Sequence, residues 1–171
     1  MSTRNAGQSL ALGGLALAAA MAAVVGTAIG FEVIGGFIPC ALCLDQRDPY
    51  YWGVPIALFG ALAALVGWPA IIARAALVVA GLVMVYGLAL GVYHAGVEWA
   101  FWPGPADCGA AAQSGIALDA GSLLADLDAV TPPACDEAAG RFLGLSFAGW
   151  NVLASAALAG MAFVLATRPA R

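Results

Sequence analysis

Charged residues are scarce in this sequence, and lysine is missing altogether. Only 9% of the 171 residues are charged, whereas 63% are hydrophobic and the mean hydropathy is +0.95. A chain with so little charge cannot enclose a soluble core in polar surface, so the composition excludes an ordinary soluble protein and indicates one that lies in lipid. The length predicts one membrane domain over residues 1–171 and leaves no room for a second.

Histidine is equally scarce, since His94 is the only one. Structural zinc usually takes four Cys or His ligands at close spacing. Cys40 and Cys43 form a close pair, but Cys108 and Cys135 lie far apart in the sequence. We therefore predict no metal site. The net charge of −4 gives no reason to expect nucleic acid as a partner.

Four apolar runs are spaced along the chain, and each is long enough, or nearly so, to cross about 30 Å of hydrocarbon as a helix. A cleaved signal peptide is the alternative for the first run, but apolar cores of signal peptides span only about 7–15 residues. The turn around Pro69 predicts an antiparallel pair of central helices. We therefore predict an all-α membrane protein, a bundle of four transmembrane helices at residues 10–30, 50–67, 75–93 and 147–166.

Arginines decide the predicted orientation. Four helices put both termini on one side, where the Arg excess is four to two and marks the cytosolic face: Arg4, Arg74, Arg168 and Arg171 against Arg47 and Arg141. The loops 31–49 and 94–146 then face the opposite side. Within the second loop, Ser122–Val130 has the apolar spacing of a short amphipathic helix that could lie on the membrane surface.

All four cysteines fall in these two loops, Cys40 and Cys43 in the first and Cys108 and Cys135 in the second. They therefore face a compartment where disulfides can persist. Cys43 precedes a predicted helix and Arg47 follows four residues later, so we predict that the helix dipole and the guanidinium stabilise a thiolate on Cys43. A fixed structural disulfide is the alternative for the pair, and a membrane-boundary anchor is the alternative for Arg47.

The segment Cys40-Ala41-Leu42-Cys43-Leu44-Asp45-Gln46-Arg47 is followed by three more apolar runs, a distal cysteine pair, and Phe142-Leu143-Gly144-Leu145. In this order the chain resembles the bacterial DsbB family of inner-membrane disulfide-bond formation proteins. The resemblance implies an enzyme that re-oxidises a DsbA-like periplasmic protein of thioredoxin fold and passes electrons to a membrane quinone, ubiquinone or menaquinone. It also implies periplasmic loops and cytosolic termini.

The resemblance further implies roles for single residues. Cys40 and Cys43 would be the pair beside the quinone, with Cys43 in contact with it, and Arg47 would support quinone binding. Cys108 would take the mixed disulfide with the partner, and a transient Cys40–Cys135 link would join the pairs.

Other residues keep two readings from sequence. Trp150 matches a family tryptophan near the quinone, but an interfacial belt residue is the alternative. His94 could serve proton transfer, with Glu98 orienting it, or could have no special role.

Two rival functions remain at this stage. A vitamin K epoxide reductase-like enzyme also couples cysteines to quinones in a four-helix bundle, but its active Cys-x-x-Cys comes after the loop pair. A membrane protein with purely structural disulfides would leave Arg47 and Phe142–Leu145 unexplained.

Overall fold

The computed structural model describes residues 3–105, 108 and 134–168. In this part of the chain, helices cover all four apolar runs: α1 (Thr3–Val33), α3 (Asp48–Leu65), α4 (Ala70–Glu98) and α5 (Phe147–Thr167). A short helix, α2 (Ala41–Asp45), lies between α1 and α3. A two-stranded hairpin, β1 (Arg141–Phe142) and β2 (Leu145–Ser146), precedes α5.

Three of the four long helices are long and apolar enough to cross a membrane, namely α1 from Gly7, α4 and α5. Helix α3 lies where the second span was predicted but has only 18 residues, begins at Asp48 and carries Pro55. Its role as a fourth span stays a prediction. The amphipathic helix predicted at Ser122–Val130 lies outside the described residues.

The central helices run antiparallel, as the turn at Pro69 predicted. Gly60 of α3 faces Ala73 and Ala76 of α4, whereas Pro49, at the opposite end of α3, faces Gly87. Helix α1 packs on α3, and α5 packs on α4. The buried core contains many alanines, including Ala57, Ala80 and Ala162. Small residues of this kind let helix backbones approach closely in a membrane bundle.

The hairpin before α5 turns at Leu143 and Gly144, whose φ angles are 52° and 83°. Positive φ at both central residues gives the tight turn that suits the twist of two paired strands. Phe142 pairs with Leu145, and the Ser146 side chain then caps α5 by accepting a hydrogen bond from the Gly149 N–H. The hairpin therefore fixes how the chain enters α5.

Candidate redox site

Cys40 is the N-cap of α2, and Cys43 lies inside that helix. Cys40 has extended backbone angles, and its Sγ accepts a hydrogen bond from the Cys43 N–H at 3.2 Å. The two Sγ atoms are 2.7 Å apart, and both cysteines are free thiols in the structure. The N-terminal N–H groups of this helix therefore favour an anion on Cys40 rather than on Cys43.

The two thiols of the pair accordingly differ in pKa. The hydrogen bond from Cys43 lowers the pKa of Cys40 to about 5, with further help from His94 and against the effect of burial. The hydrogen bond to Cys40, burial and the adjacent Cys40 charge raise the pKa of Cys43. In this geometry the charge of the reduced pair is favoured on Cys40, and the thiolate expected on Cys43 stays a prediction. The five-residue helix α2 begins at Ala41, so Cys43 lies inside a helix rather than ahead of one, as that prediction assumed.

His94 lies directly behind the cysteine pair. Helix α4 continues past the predicted end at residue 93, so His94 and Glu98 belong to the helix instead of the following loop. The His94 ring is 1% exposed, with Nε2 3.6 Å from Cys40 Sγ and 3.9 Å from Glu98 Oε1. Of the two readings from sequence, direct contact with a thiol favours a role in the chemistry.

Polar side chains with no sequence signature complete this side of the site. Gln46 Nε2 donates to His94 Nδ1, and Gln46 Oε1 accepts from Asn151 Nδ2 at 2.7 Å. Tyr50 donates its hydroxyl to Asn151 Oδ1, also at 2.7 Å. Sequence reasoning missed Gln46, Asn151 and Tyr50. Gln46 and Asn151 are 105 residues apart, and no local spacing connects them.

A cavity of about 500 Å³ lies beside the pair, and its wall includes His94 and the adjoining ends of α1, α3 and α5. Cys43 contributes to its wall, as do Arg47 and Trp150, whereas Cys40 does not. Most of the wall is apolar and includes the packed rings of Phe31, Phe37 and Phe147.

Arg47 lines the cavity and forms an ion pair with Glu32, which lines it too. Its Nη1 donates to Glu32 Oε2 at 2.6 Å, so the ion pair joins the start of α3 to the last turn of α1. The Arg47 side chain is 13% exposed. A guanidinium has five N–H donors, so donors remain besides the one that Glu32 occupies.

Trp150 stands at the edge of the same cavity. Its Nε1 donates to the Phe142 carbonyl at 2.9 Å, and the two rings lie 6.3 Å apart. The hairpin thus holds Trp150 against the cavity. Of the two readings from sequence, this position favours the one beside a ligand.

The distal cysteines form a disulfide, Cys108–Cys135, whose Cα atoms are 5.3 Å apart. This bridge packs in one buried cluster with Cys40, Leu42 and Val97. Cys40 therefore shares a buried cluster with the distal disulfide and also contacts Cys43. The four predicted site cysteines lie together at one end of the described bundle.

One further capacity of the site was not predicted. The ligand atoms of Cys40, Cys43 and His94 lie within 4.8 Å of one another. Two thiolates and an imidazole suit thiophilic cations. Among the residues that the structure describes, these three side chains could together hold such an ion.

A dithiol packed against a disulfide, in a bundle of apolar helices, defines the class of the protein as a membrane thiol-disulfide oxidoreductase. The family model described as Disulfide bond formation protein DsbB matches residues 11–165, and the chain belongs to that family. It is thus a membrane disulfide-bond formation protein. Searches of curated proteins and of solved structures found no match to this chain.

Proposed function

We propose that the protein re-oxidises a DsbA-like periplasmic dithiol protein and passes the electrons through its two cysteine pairs to a membrane quinone. One observation carries the proposal. Cys43 lies in the cavity wall, and Cys40, whose sulfur is 2.7 Å from that of Cys43, packs in one buried cluster with Cys108 and Cys135. Electrons that enter at the distal pair would have to cross the first pair to reach a ligand in the cavity.

The cavity suits a quinone ring. Pockets for small organic ligands measure about 300–1,000 Å³ and combine apolar walls with a few placed polar groups. This one has about 500 Å³, and the Arg47 guanidinium is available to donate to a carbonyl oxygen. A quinone bound there, ubiquinone or menaquinone, would supply the acceptor for two electrons and two protons. Cys43 and Trp150 would be its neighbours in the wall.

In each thiol-exchange step, one S–S bond forms as another breaks. A thiolate of the partner attacks Cys108, the Cys108–Cys135 bond breaks, and a mixed disulfide forms. The partner's second thiol then releases its own disulfide, leaving Cys108 and Cys135 reduced. Cys108 is 7% exposed, so its sulfur must become more accessible before the partner can reach it.

Attack by Cys135 on an oxidised Cys40–Cys43 pair would break that disulfide, form the transient Cys40–Cys135 link and free Cys43. Cys108 would then attack Cys135, which restores the distal disulfide and releases Cys40. The resulting Cys40–Cys43 dithiol would give two electrons and two protons to a bound quinone and become a disulfide again.

We also propose the membrane placement. Helix α3 would be the fourth span, because its 18 residues extend about 27 Å at 1.5 Å per residue and it packs between α1 and α4. Both termini would then be cytosolic and the cysteine segments periplasmic, at the bacterial inner membrane. The positive-inside rule supports this orientation by four arginines to two.

The experiment combines purified protein in lipid with a reduced DsbA-like protein and either ubiquinone or menaquinone. We expect the quinone to be reduced as the partner gains its disulfide, and Cys43→Ser to abolish quinone reduction. Cys43→Ser should still allow the mixed disulfide at Cys108 to be trapped. If wild type reduces no quinone of either class, the structural-disulfide reading replaces this one. Quinone reduction that survives Cys43→Ser would refute the electron path.

A further inference from the structure

Several polar side chains lie buried in a bundle that is otherwise apolar. Gln46 is 6% exposed, Tyr50 2% and Ser155 none, and Asn151 is half-buried beside them. Burying amides and hydroxyls is costly unless they are hydrogen-bonded. Here they form one chain of hydrogen bonds that ends at His94, next to Cys40. The chain crosses from α5 through the α2–α3 segment to α4.

The direction of this chain follows from one group that can only accept. The carbonyl of Gly87 on α4 lies 3.5 Å from Asn151 Nδ2 and favours the amide nitrogen on that side, and the Ser155 hydroxyl donates to Asn151 Oδ1 at 3.4 Å on the other side. The Asn151 oxygen then faces the Tyr50 hydroxyl, and its nitrogen also donates to Gln46 Oε1. Gln46 must therefore present its nitrogen to His94 Nδ1. A neutral ring whose Nδ1 accepts carries its proton on Nε2.

We infer that Gln46 and Asn151 are positioning residues that hold His94 as the Nε2–H tautomer, with that proton directed at the Cys40 sulfur. The inference rests on the proposed function only in taking Cys40 and Cys43 as the reactive dithiol. The Nε2–H group then donates to a Cys40 thiolate and favours its charged form. The opposite tautomer would turn a lone pair toward the sulfur and disfavour the thiolate.

The groups that face Cys40 from neighbouring elements are few in the described residues. Cys43 of α2 and His94 of α4 contact it, and Glu98 lies 3.9 Å from the same histidine nitrogen. Arg47 is engaged by Glu32. The orientation of one imidazole therefore has a direct effect on the charge of Cys40.

His94 is the only histidine of the chain, so its tautomer can be read without assignment. The full-length protein would be produced with ¹⁵N-labelled histidine and a tag free of histidine, reduced, and measured in nanodiscs without quinone by long-range ¹H–¹⁵N NMR. Omitting quinone matters because Gln46 and Asn151 also border the cavity. We expect a single neutral tautomer protonated at Nε2. A wild-type ring protonated at Nδ1 would overturn the inference without any variant.

Gln46→Met and Asn151→Leu then test the two positioning residues. Each should give a mixture of tautomers. In a Cys108→Ala/Cys135→Ala background, each should also raise the pH midpoint of thiolate absorbance of the Cys40–Cys43 pair by about one unit, because a hydrogen bond to a charged group is weakened.

Ser155→Ala is the matched control. Ser155 is buried on the same helix, one turn from Asn151, and donates to Asn151 Oδ1 at 3.4 Å, whereas the Tyr50 hydroxyl holds the same oxygen at 2.7 Å and remains in the variant. This variant should keep the wild-type tautomer and midpoint. An unchanged tautomer in Gln46→Met and Asn151→Leu would overturn the inference even if their quinone reduction fell. A failure of quinone reduction in wild type would refute the proposed function while leaving the tautomer measurement intact.

Discussion

The two cysteine pairs differ in what surrounds them. Cys40 and Cys43 are three residues apart in one short helix, in contact with a buried histidine and a cavity. Cys108 and Cys135 are 27 residues apart and are joined by a closed disulfide. The first pair is made asymmetric by its surroundings, since one sulfur is a helix cap and the other faces the cavity. The distal pair supplies a disulfide that a second thiol can attack. The first pair therefore lies in a site that stabilises a thiolate, whereas the distal pair exchanges disulfide bonds.

The largest expected effect separates the pairs completely. Cys108→Ser/Cys135→Ser should lower quinone reduction by a DsbA-like protein by at least about a thousandfold, because the exchange step loses its electrophile and no free Cys135 remains to attack Cys40. It should leave quinone reduction by a small dithiol, which can attack the Cys40–Cys43 disulfide itself, within about twofold of wild type. Oxygen-free assays with each donor measure both rates. If the small dithiol also fails to reduce quinone through this variant, the two cysteine pairs do not act in sequence.

Sequence predicted the parts of this comparison that depend on local composition. Four apolar runs became four helices, and the two cysteine pairs fell where the runs left loops. The identity of the thiolate was not predictable in the same way, because the helix that Cys40 caps has five residues and leaves no periodic pattern. The burial of His94 depends on where α4 ends, and the contact between Gln46 and Asn151 depends on packing across the bundle. The ion pair between Arg47 and Glu32 likewise depends on how α1 packs against the start of α3.

Substitution of Arg47 tests whether the cavity binds the quinone that takes electrons from Cys40 and Cys43. Arg47→Met should raise the apparent KM for quinone by about 10- to 100-fold, the range expected when a charged hydrogen-bond donor is lost. It should change thiol exchange between Cys108 and the partner by less than about twofold, because that step lies on the far side of Cys40. Steady-state kinetics with varied quinone and trapping of the mixed disulfide measure the two effects.

The matched control is Arg141→Met, since Arg141 is exposed on the hairpin and does not line the cavity. Its KM for quinone should equal that of wild type. Because Arg47→Met leaves Glu32 without its partner, Glu32→Gln/Arg47→Met should also be measured and should keep the raised KM. Equal losses in quinone binding and thiol exchange would assign Arg47 a folding role instead.

Substitution of His94 tests why the pKa of Cys40 is lower than that of Cys43. Cys40 has a pKa lowered to about 5, so a thiolate should be present above that pH and lost below it. His94→Ala removes a hydrogen bond to the Cys40 sulfur, and we expect the midpoint to rise by about one unit, while the Cys43 hydrogen bond keeps it below that of a free thiol. Thiolate absorbance against pH, in a variant lacking Cys108 and Cys135, measures this. A midpoint that does not move would mean that the cap and Cys43 alone stabilise the charge.

Trp150 carries the smallest expected effect and sharpens the boundary of the cavity. Trp150→Leu removes an aromatic wall and the hydrogen bond to the Phe142 carbonyl, and we expect a rise of about threefold in the KM for quinone with little change in thiol exchange, because the remaining wall is apolar. Trp52→Leu is the control: Trp52 is 68% exposed on α3 and lies outside the cavity wall, as an interfacial belt residue would. If both substitutions weaken quinone binding alike, Trp150 acts through the membrane interface and the belt reading is correct. A difference confined to Trp150 would instead make the hairpin that holds it part of the quinone-binding half of the molecule.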